Sequence, residues 1–321
     1  MVLMKSMKKI LPIFTLLLLC QSIFAQEYTL KDLKVNGKVK KITRFLYGSN
    51  EASDQMDSLY LYNQNIQFFN ELGYLTLDSG ATYSGENFQK EVYSYDSLNR
   101  LVKIITYDKG FEDKKFRKSE VKEFQYDQNG NVIFESHSSE FGGTSIKKTF
   151  YNQKNKIILS QSYYIADESK RKSVKPKYSI CEYEEQKIIR KSYFSDSTLF
   201  SIWIDEFENE KRTKSYHYFK RKDSLELIEK NEFYYEDSTK IKITTWSKIN
   251  EDFSTKDEYI QYFDTNKKLI REELYENGEI TTVYEYFYDE LGNCIKRASH
   301  HIIPMVEHPE FMYNIYKYEF Y

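Results

Sequence analysis

A group of side chains that could bind a metal lies near the C-terminus, in the sequence SHHIIPMVEHPEF. It contains His300, His301, Glu307 and His308. Imidazole and carboxylate groups are zinc ligands, but a site needs three or four of them to converge. Adjacent histidines on a strand point to opposite faces, so only one of the pair can easily join His308. The spacing therefore favours a loop before a final strand. It leaves open whether His300, His301 and His308 bind metal.

A second candidate for chemistry is DQNGN, which begins at Asp127 and has carboxylate, amide and glycine groups in the spacing of a calcium loop. Such a loop needs an acidic residue at its twelfth position, and Ser138 stands there. The same short pattern recurs elsewhere without calcium ligands. A turn therefore explains it, and we predict no cofactor.

Catalytic motifs are missing from the sequence. It contains no Gly-x-Ser-x-Gly elbow, no phosphate-binding glycine loop and no Cys–His arrangement with local context. Glycoside hydrolysis needs two paired carboxylates, and nothing singles out a pair among the many acids. We therefore predict a protein that is not an enzyme. A secreted polysaccharide-directed enzyme remains an alternative, which a partly buried acidic pair in a groove would favour.

Aromatic side chains offer a further possibility, because their rings can stack on sugars or contact peptides. Aromatic residues that recur at the same position of an internal repeat, described below, are better explained as part of the hydrophobic core. Three aromatic residues outside that pattern form the predicted ligand surface: Trp203, Trp246 and Tyr218.

The elements that position these side chains come from an internal repeat. An aromatic residue is followed by Asp, Asn or Glu, a short turn and, in most copies, an aliphatic residue. The polar residue occurs nine times between positions 70 and 289, at a mean spacing of (289 − 70)/8, or about 27 residues. The nine polar residues are Asn70, Asp96, Asp127, Asn152, Glu184, Glu208, Glu236, Asp264 and Asp289.

Each copy has the chemistry of a hairpin turn. Asp or Asn at the first turn position accepts hydrogen bonds from the backbone, and Gly or Asn three residues later tolerates a positive φ. The aromatic before the turn and the aliphatic residue after it can then pair across two strands. The predicted turn residues are Asp96, Asn99, Asp127, Gly130, Asn152, Asn155, Asp264, Asp289 and Gly292.

Composition and repeat together predict the fold. The 321 residues include 30 Tyr and 22 Phe, which favour strands. We predict an all-β protein, a continuous antiparallel β-meander of about nine β-hairpin repeats with about 20 strands. We expect it to be elongated and twisted, with a spiral or half-barrel as its curled form. Residues 26–321 form one domain: an N-terminal cap hairpin at 26–65, repeats at 66–311 and a closing strand at 312–321.

The N-terminus predicts export. Three lysines precede an apolar run that ends before Ala25, which is typical of a signal peptide over residues 1–25 with cleavage after Ala25. Leu19 disfavours a lipid anchor at Cys20. No segment is long and apolar enough to predict a transmembrane helix. Without the three lysines the formal charge falls from −2 to −5, since −2 − 3 = −5, which disfavours nucleic-acid binding.

The copies YDSLNRLV, YDQNGNVI and YDELGNCI resemble the YD repeats of the RHS family. The resemblance extends roughly from Phe69 to Arg297. It implies an exported bacterial protein built of β-hairpin repeats, and it supplies no catalytic residues. The number of copies is too small for the large shells that long members of that family form.

Three functions follow as hypotheses. The favoured one is a non-catalytic binding or structural module of the periplasm, cell surface or extracellular space, with an envelope protein or a glycan as partner. The polysaccharide-directed enzyme is one alternative. An outer-membrane β-barrel is the other, and it is disfavoured because segments such as SYHYFKRKDSLELIEK and IFESHSSEFGG lack a continuous apolar face. The oligomeric state is left open.

Overall fold

The computed structural model describes residues 29–49, 59–82, 87–109, 115–140, 142–166, 176–221, 224–236, 239–249, 252–302 and 311–321. The predicted signal peptide lies outside them. The described residues form twenty strands, namely β1 (Val39–Ser49), β2 (Tyr60–Phe69), β3 (Leu75–Thr82), β4 (Asn87–Tyr95), β5 (Leu101–Asp108), β6 (Arg117–Tyr126), β7 (Val132–Ser139), β8 (Thr144–Tyr151), β9 (Ile157–Ile165), β10 (Lys177–Tyr183), β11 (Lys187–Tyr193), β12 (Leu199–Glu208), β13 (Lys211–Arg221), β14 (Ser224–Glu236), β15 (Lys240–Ile249), β16 (Asp252–Phe263), β17 (Leu269–Glu276), β18 (Glu279–Tyr288), β19 (Cys294–His301) and β20 (Phe311–Phe320).

The sheet closes on itself. Each strand pairs antiparallel with the next along the chain, and β20 also pairs with β1, with Arg44 opposite Tyr316. The predicted all-β antiparallel meander is correct, but the predicted elongated spiral or half-barrel is wrong. Closure satisfies the backbone hydrogen bonds of both end strands, which an open sheet would leave exposed. The protein is therefore a closed 20-stranded β-barrel.

The resemblance to RHS repeats also has to be corrected. The short YD patterns mark hairpin turns, as they do in that family, but the hairpins build a closed barrel instead of an open repeat sheet. A turn motif of this kind specifies only the local hairpin, because Asp and Gly stabilise the turn of any antiparallel hairpin. It does not specify whether the sheet is open or closed.

The two ends of the barrel differ. The nine repeated turns all lie at the end where β1 begins and β20 finishes, for example between β4 and β5 and between β18 and β19. We call this the turn end. The connections at the opposite end include longer ones, such as residues 50–59 and 302–310.

Seven of the nine hairpins at the turn end share one shift in pairing. Tyr95 lies opposite Leu101, Tyr126 opposite Val132, and the pairing then shifts by one residue. Such a shift is a β-bulge, which increases local twist. Because a bulge places one extra residue in a strand, it reverses which side chains face inward beyond it.

Turn geometry follows the residue types. The carboxylate of Asp96 accepts hydrogen bonds from the backbone N–H groups of Leu98 and Arg100, both at 2.9 Å. Asp127 accepts equivalent bonds from Asn129 and Asn131. Asn152, Asp264 and Asp289 accept from the residue four positions on. The later turn positions have positive φ at Asn99, Gly130, Asn155 and Gly292, with values of 60°, 84°, 56° and 85°.

These bonds stabilise the ionised carboxylates. Backbone and side-chain bonds from Arg100 hold the pKa of Asp96 below its usual value, and the Asn131 side chain does the same for Asp127. A depressed folded-state pKa means a stabilising contribution that is present above the unfolded value of about 4. That contribution is lost as the pH falls through the folded-state pKa.

The substitution Gly130→Val is expected to lower the free energy of unfolding by roughly 1–2 kcal/mol, because a side chain at positive φ is strained. An added Cβ there meets no atom within 4 Å, so the cost comes from the backbone alone. The measurement is urea unfolding in detergent micelles. Gly142→Val is the control, because the Cβ added at Gly142 meets only Ser139, at 3.8 Å. Equal stability of the two variants would contradict the turn geometry.

A short segment, residues 29–38, lies against the turn end of the barrel, next to the strands β1 and β20 that close it. Leu30 donates its N–H to Gly73 O at 2.9 Å, and Asn36 bonds to Asn293 and to Leu291 O. Leu30 packs in a buried cluster with Val39, Ile42, Phe69, Leu75, Tyr93, Leu101 and Ile104. The segment therefore joins the first repeated turn to the last, across the strands that close the barrel.

Candidate functional site

The inner face of the barrel is identified by the side chains that converge on it. Ile42, Phe69, Tyr93 and Ile104 belong to one buried cluster, and Tyr318 packs against it. These residues come from β1, β2, β4, β5 and β20, and the pairing register places them on one face. Side chains from so many strands can meet only on the concave side of a curved sheet. That face is the inner one.

Away from that cluster, the inner face is mostly polar. On β8–β12 it carries serines and cations in succession, because Lys147 lies opposite Ser162, and Ser179 opposite Ser192. On β2–β4 it carries amides and carboxylates, with Gln67 opposite Asp78. A barrel of this strand number is wide enough to leave an aqueous lumen, as 16- and 18-stranded barrels do. The strands that make extensive contacts with each other are hydrogen-bonded neighbours in the barrel wall.

The outer face of β8–β12 carries more aliphatic residues than that of β14–β18, although the ion pairs of Lys191 with Glu182 and of Lys187 with Glu206 also lie on it. We call it the apolar sector. Ile146 faces outward beside Tyr163, Ile180 beside Lys191, and Ile189 beside Ile204. The sector also includes Leu159 and Ile202. Outward apolar and inward polar residues alternate here as in barrels that face lipid.

The outer face of β14–β18 is different, and we call it the charged sector. The Glu258 carboxylate forms ion pairs with the Lys242 ammonium at 2.9 Å and with the Lys256 ammonium at 2.8 Å. Arg271 pairs with Glu273 at 2.8 Å and with Glu285 at 3.4 Å. These pairs offset part of the cost of placing the charges away from bulk water, but they do not make the surface apolar.

The tyrosines before the repeated turns face inward and join neighbouring strands. The hydroxyl of Tyr95 donates to Leu75 O at 2.8 Å, and Tyr126 donates to Leu101 O at 2.7 Å. In both cases the acceptor is the first residue of the preceding strand. The same bond is made by Tyr151 to Val132, Tyr288 to Leu269 and Tyr318 to Cys294. The repeated tyrosine therefore ties one strand to the one before it.

The inner wall near the closure carries a continuous row of polar side chains, which we call the polar belt. Its register runs from strand to strand: Glu272 opposite Tyr284, Tyr286 opposite Arg297, and Arg297 opposite Asn314. It continues with Tyr316 opposite Arg44, Arg44 opposite Asn65, and Gln67 opposite Asp78. The members of the belt are Glu272, Arg297, Asn314, Arg44, Asn65 and Asp78.

Neutral donors hold the two carboxylates of the belt. Glu272 accepts hydrogen bonds from the hydroxyls of Tyr259 and Tyr286 and from the Gln261 amide. Asp78 accepts from the amide of Asn65 and, at 2.8 Å, from that of Gln67. Both acids are therefore fixed in place, and no lysine or arginine of the described residues forms an ion pair with them.

The two arginines of the belt are not used in ion pairs within the described part of the chain. Arg297 lies over the ring of Tyr284, with 4.1 Å from its Cζ to the ring centroid, and Tyr286 is 5.7 Å away. These rings cover its Nε, which has no hydrogen-bond partner among the described residues. The Arg44 side chain is exposed. The belt thus presents guanidinium donors and carboxylate acceptors along one strip of wall.

The structure does not bring the predicted ligand surface together. Trp203 faces inward and stacks on the His217 ring, with centroids 3.7 Å apart. Trp246 faces outward next to the Lys230 ammonium, 4.9 Å from its ring centroid. Tyr218 also faces outward, opposite Ile202. The three aromatic residues thus lie on two different faces, and no single surface contains them.

The histidines near the C-terminus separate as well. His300 faces outward and stacks on Phe311, at 4.3 Å between centroids, whereas His301 faces inward beside Thr282. Glu307 and His308 lie outside the described residues. Among the residues that are described, no three His, Cys, Asp or Glu side chains are grouped to hold a metal ion. Both cysteines among the described residues, Cys181 and Cys294, are free thiols.

Sequence reasoning missed the polar belt. Its members come from six strands of both chain ends, so no local motif contains them. One signal was present: the strand TTVYEYFYD places Tyr284, Tyr286 and Tyr288 on one face. Three tyrosines in a row on one face predict a packed or hydrogen-bonded wall, and Glu272 and Arg297 are what they pack against.

Among the described residues no helix is long and apolar enough to cross a membrane. No protein-family model matches the chain, and no curated protein matches it.

Among solved structures, the chain is similar to a porin-like protein from Bacteroides uniformis, with 10% identity and a TM-score of 0.37 over 88% of this chain and 96% of that one. It is also similar to a mutant of the Rh. blastica porin, with 7% identity and a TM-score of 0.27 over 87% of this chain and 97% of that one. Both TM-scores are too low to bear on what this chain does. The barrel is established by its own strand pairing.

Proposed function

We propose that this protein is an outer-membrane β-barrel that forms a water-filled passage for small polar solutes and catalyses no reaction. The closure of the sheet carries the proposal. A spanning sheet must have no free edge, because unpaired backbone groups have no partner in lipid. It replaces the function favoured from the sequence, a non-catalytic binding or structural module of the periplasm, cell surface or extracellular space. The alternative named beside it, an outer-membrane barrel, fits the closed sheet better.

Further features support a membrane barrel. The number of strands is even. The short turns lie at the end of the barrel where β1 begins and β20 finishes, and the connections at the opposite end include longer ones. Strands of 7 residues in β10 and β11 up to 13 in β14 bracket the length that spans a bilayer when tilted. A cleaved signal peptide would deliver the chain to the envelope.

The apolar sector is the part of the outer face that suits lipid tails. Cations at the bilayer midplane of such a barrel cost about 2–4 kcal/mol each. The charged sector therefore has weaker contact with lipid tails than the apolar sector in our proposal.

Two consecutive lysines of β8 offer a matched test of the passage. Lys147 faces the lumen opposite Glu135, and Lys148 faces outward opposite Phe134. Residues 26–321, folded in detergent and added to a planar bilayer, are expected to give stepwise conductance. In a KCl gradient Lys147→Glu is expected to shift the reversal potential toward cation selectivity, because a cation in the lumen attracts anions. Lys148→Glu is the control and should leave the potential unchanged.

Two outcomes would contradict the proposal. A folded barrel that gives no conductance would exclude the passage. Equal shifts from Lys147→Glu and Lys148→Glu would mean that the two lysines do not lie on opposite faces of a conducting wall. Folding is checked separately, by the β-sheet signal in circular dichroism and by heat-sensitive migration on a gel.

A further inference from the structure

We infer that the polar belt is a binding site for neutral saccharides on the lumen wall. This inference rests on the proposed function for its biological setting, since it names what the passage would contact. The observations that carry it are the placement of donors and acceptors and the balance of charge among them.

The belt alternates groups that donate with groups that accept. Going around the wall, Glu272 accepts, Arg297 donates, and the Asn314 amide does both. Arg44 then donates, and Asp78 accepts beyond Asn65. Neighbouring strands are about 4.8 Å apart, so the row offers a new polar group at each strand. A sugar carries several hydroxyls, each of which can donate and accept, and such a row can satisfy them together.

Charge separates a neutral ligand from an anionic one. The belt contains two arginines and two carboxylates, and Glu91 on β4 lies directly opposite Asp78 on the same face. With Glu91 this wall carries one more carboxylate than arginine, so it does not attract an anion. Because neutral donors already hold the carboxylates, the guanidinium groups keep hydrogen-bonding capacity for a ligand. A free anion would also have to approach Glu272 and Asp78, which repel it.

Aromatic rings complete the surface. Tyr316 projects from β20 between Arg44 and the strand of Arg297, and Tyr284 and Tyr286 support the Arg297 guanidinium. Rings beside planar polar groups give a sugar ring an apolar contact for its C–H face. The packing also restrains Arg297, so less side-chain entropy is lost when it binds.

The test is isothermal titration of detergent-folded residues 26–321 with maltotriose as the neutral probe and trigalacturonate as the anionic one. Detergent is used so that binding is measured whether or not the protein conducts. We expect saturable binding of maltotriose. Arg297→Gln and Arg44→Gln should each weaken it by about tenfold or more, since a charge-assisted hydrogen bond is lost. Arg297→Lys, which keeps the charge but not the planar fork, should fall in between.

The control is Arg190→Gln, another inward arginine, which lies opposite Trp203 and Cys181 away from the belt. It should bind maltotriose as the unchanged protein does. Binding of trigalacturonate but not maltotriose would overturn the inference, as would equal loss in the Arg190 and Arg297 variants. No binding of either probe by a folded barrel would also overturn it while leaving the conductance test intact. Conductance failure with maltotriose binding would remove the passage and keep the site.

Discussion

The substitutions Thr43→Cys and Lys317→Cys are expected to give a disulfide in almost every folded molecule. The two positions lie directly opposite each other where β1 pairs with β20. Opposed residues in an antiparallel pair have Cα atoms about 4.5–5.5 Å apart, within the range that a disulfide needs. In an open sheet of twenty strands the same residues would be separated by nineteen strand spacings, or about 90 Å. The two architectures therefore predict opposite results.

The experiment replaces Cys181 and Cys294 with Ser first, so that only the introduced thiols remain. The folded protein is oxidised in detergent, and free thiols are counted by mass spectrometry after alkylation. The control combines Thr43→Cys with Lys214→Cys, whose position on β13 is far around the wall. Closure is contradicted if the 43/317 pair stays reduced, or if the control pair oxidises as readily.

Closure could not be read from the sequence, although most of the hairpins could. Each repeated turn is specified by residues within five positions, such as the Asp127 carboxylate and the positive φ of Gly130. The number of strands follows from the number of turns. The pairing of β1 with β20 instead joins residues about 270 positions apart, as with Arg44 and Tyr316. No local pattern encodes that contact, and an aromatic last strand suits an edge as well as a closed wall.

Simple alternation of residues along a strand also could not predict which side chains face inward and which face outward. In β5 the pairing of Tyr95 with Leu101 places both at the inner face, but the bulge that follows makes Ile104 and Thr106 inward as well. Counting by twos from Leu101 would assign Ile104 to the outside. Each bulge introduces such a reversal, so faces assigned from the turns are wrong farther along the strand.

One of the polar segments that disfavoured a barrel in the sequence does carry charges on the outer face in the structure. Lys214 and Lys230 do face outward, and the outer surface of β14–β18 does carry charges. What the sequence did not show is that the charges pair between neighbouring strands, as Lys242 does with Glu258. It also did not show that the apolar outward residues gather in β8–β12. A continuous apolar face on every strand was too strict a requirement for a closed sheet.

Two consecutive residues of β12 are expected to differ most strongly in their contact with lipid when the protein is in a membrane. Trp203 faces the lumen, opposite His217, and Ile204 faces outward in the apolar sector, opposite Ile189. The protein has only two tryptophans, so Trp246→Phe leaves Trp203 as the single fluorophore. The combination Trp203→Phe, Trp246→Phe and Ile204→Trp moves the single indole by one residue to the other face.

Both variants are inserted into phospholipid vesicles, with brominated acyl chains as the lipid quencher and iodide as the aqueous one. The indole introduced by Ile204→Trp should lose more than about half of its emission to bromine and little to iodide, because its face contacts lipid tails. Trp203 should respond in the opposite way, because its face borders water in the lumen. Trp246, alone in the Trp203→Phe variant and flanked by Lys230 and Lys256, should be quenched by bromine less than the indole at position 204. Iodide quenching at position 204 without bromine quenching would place the apolar sector in water, and the membrane proposal would fail even though the barrel is closed.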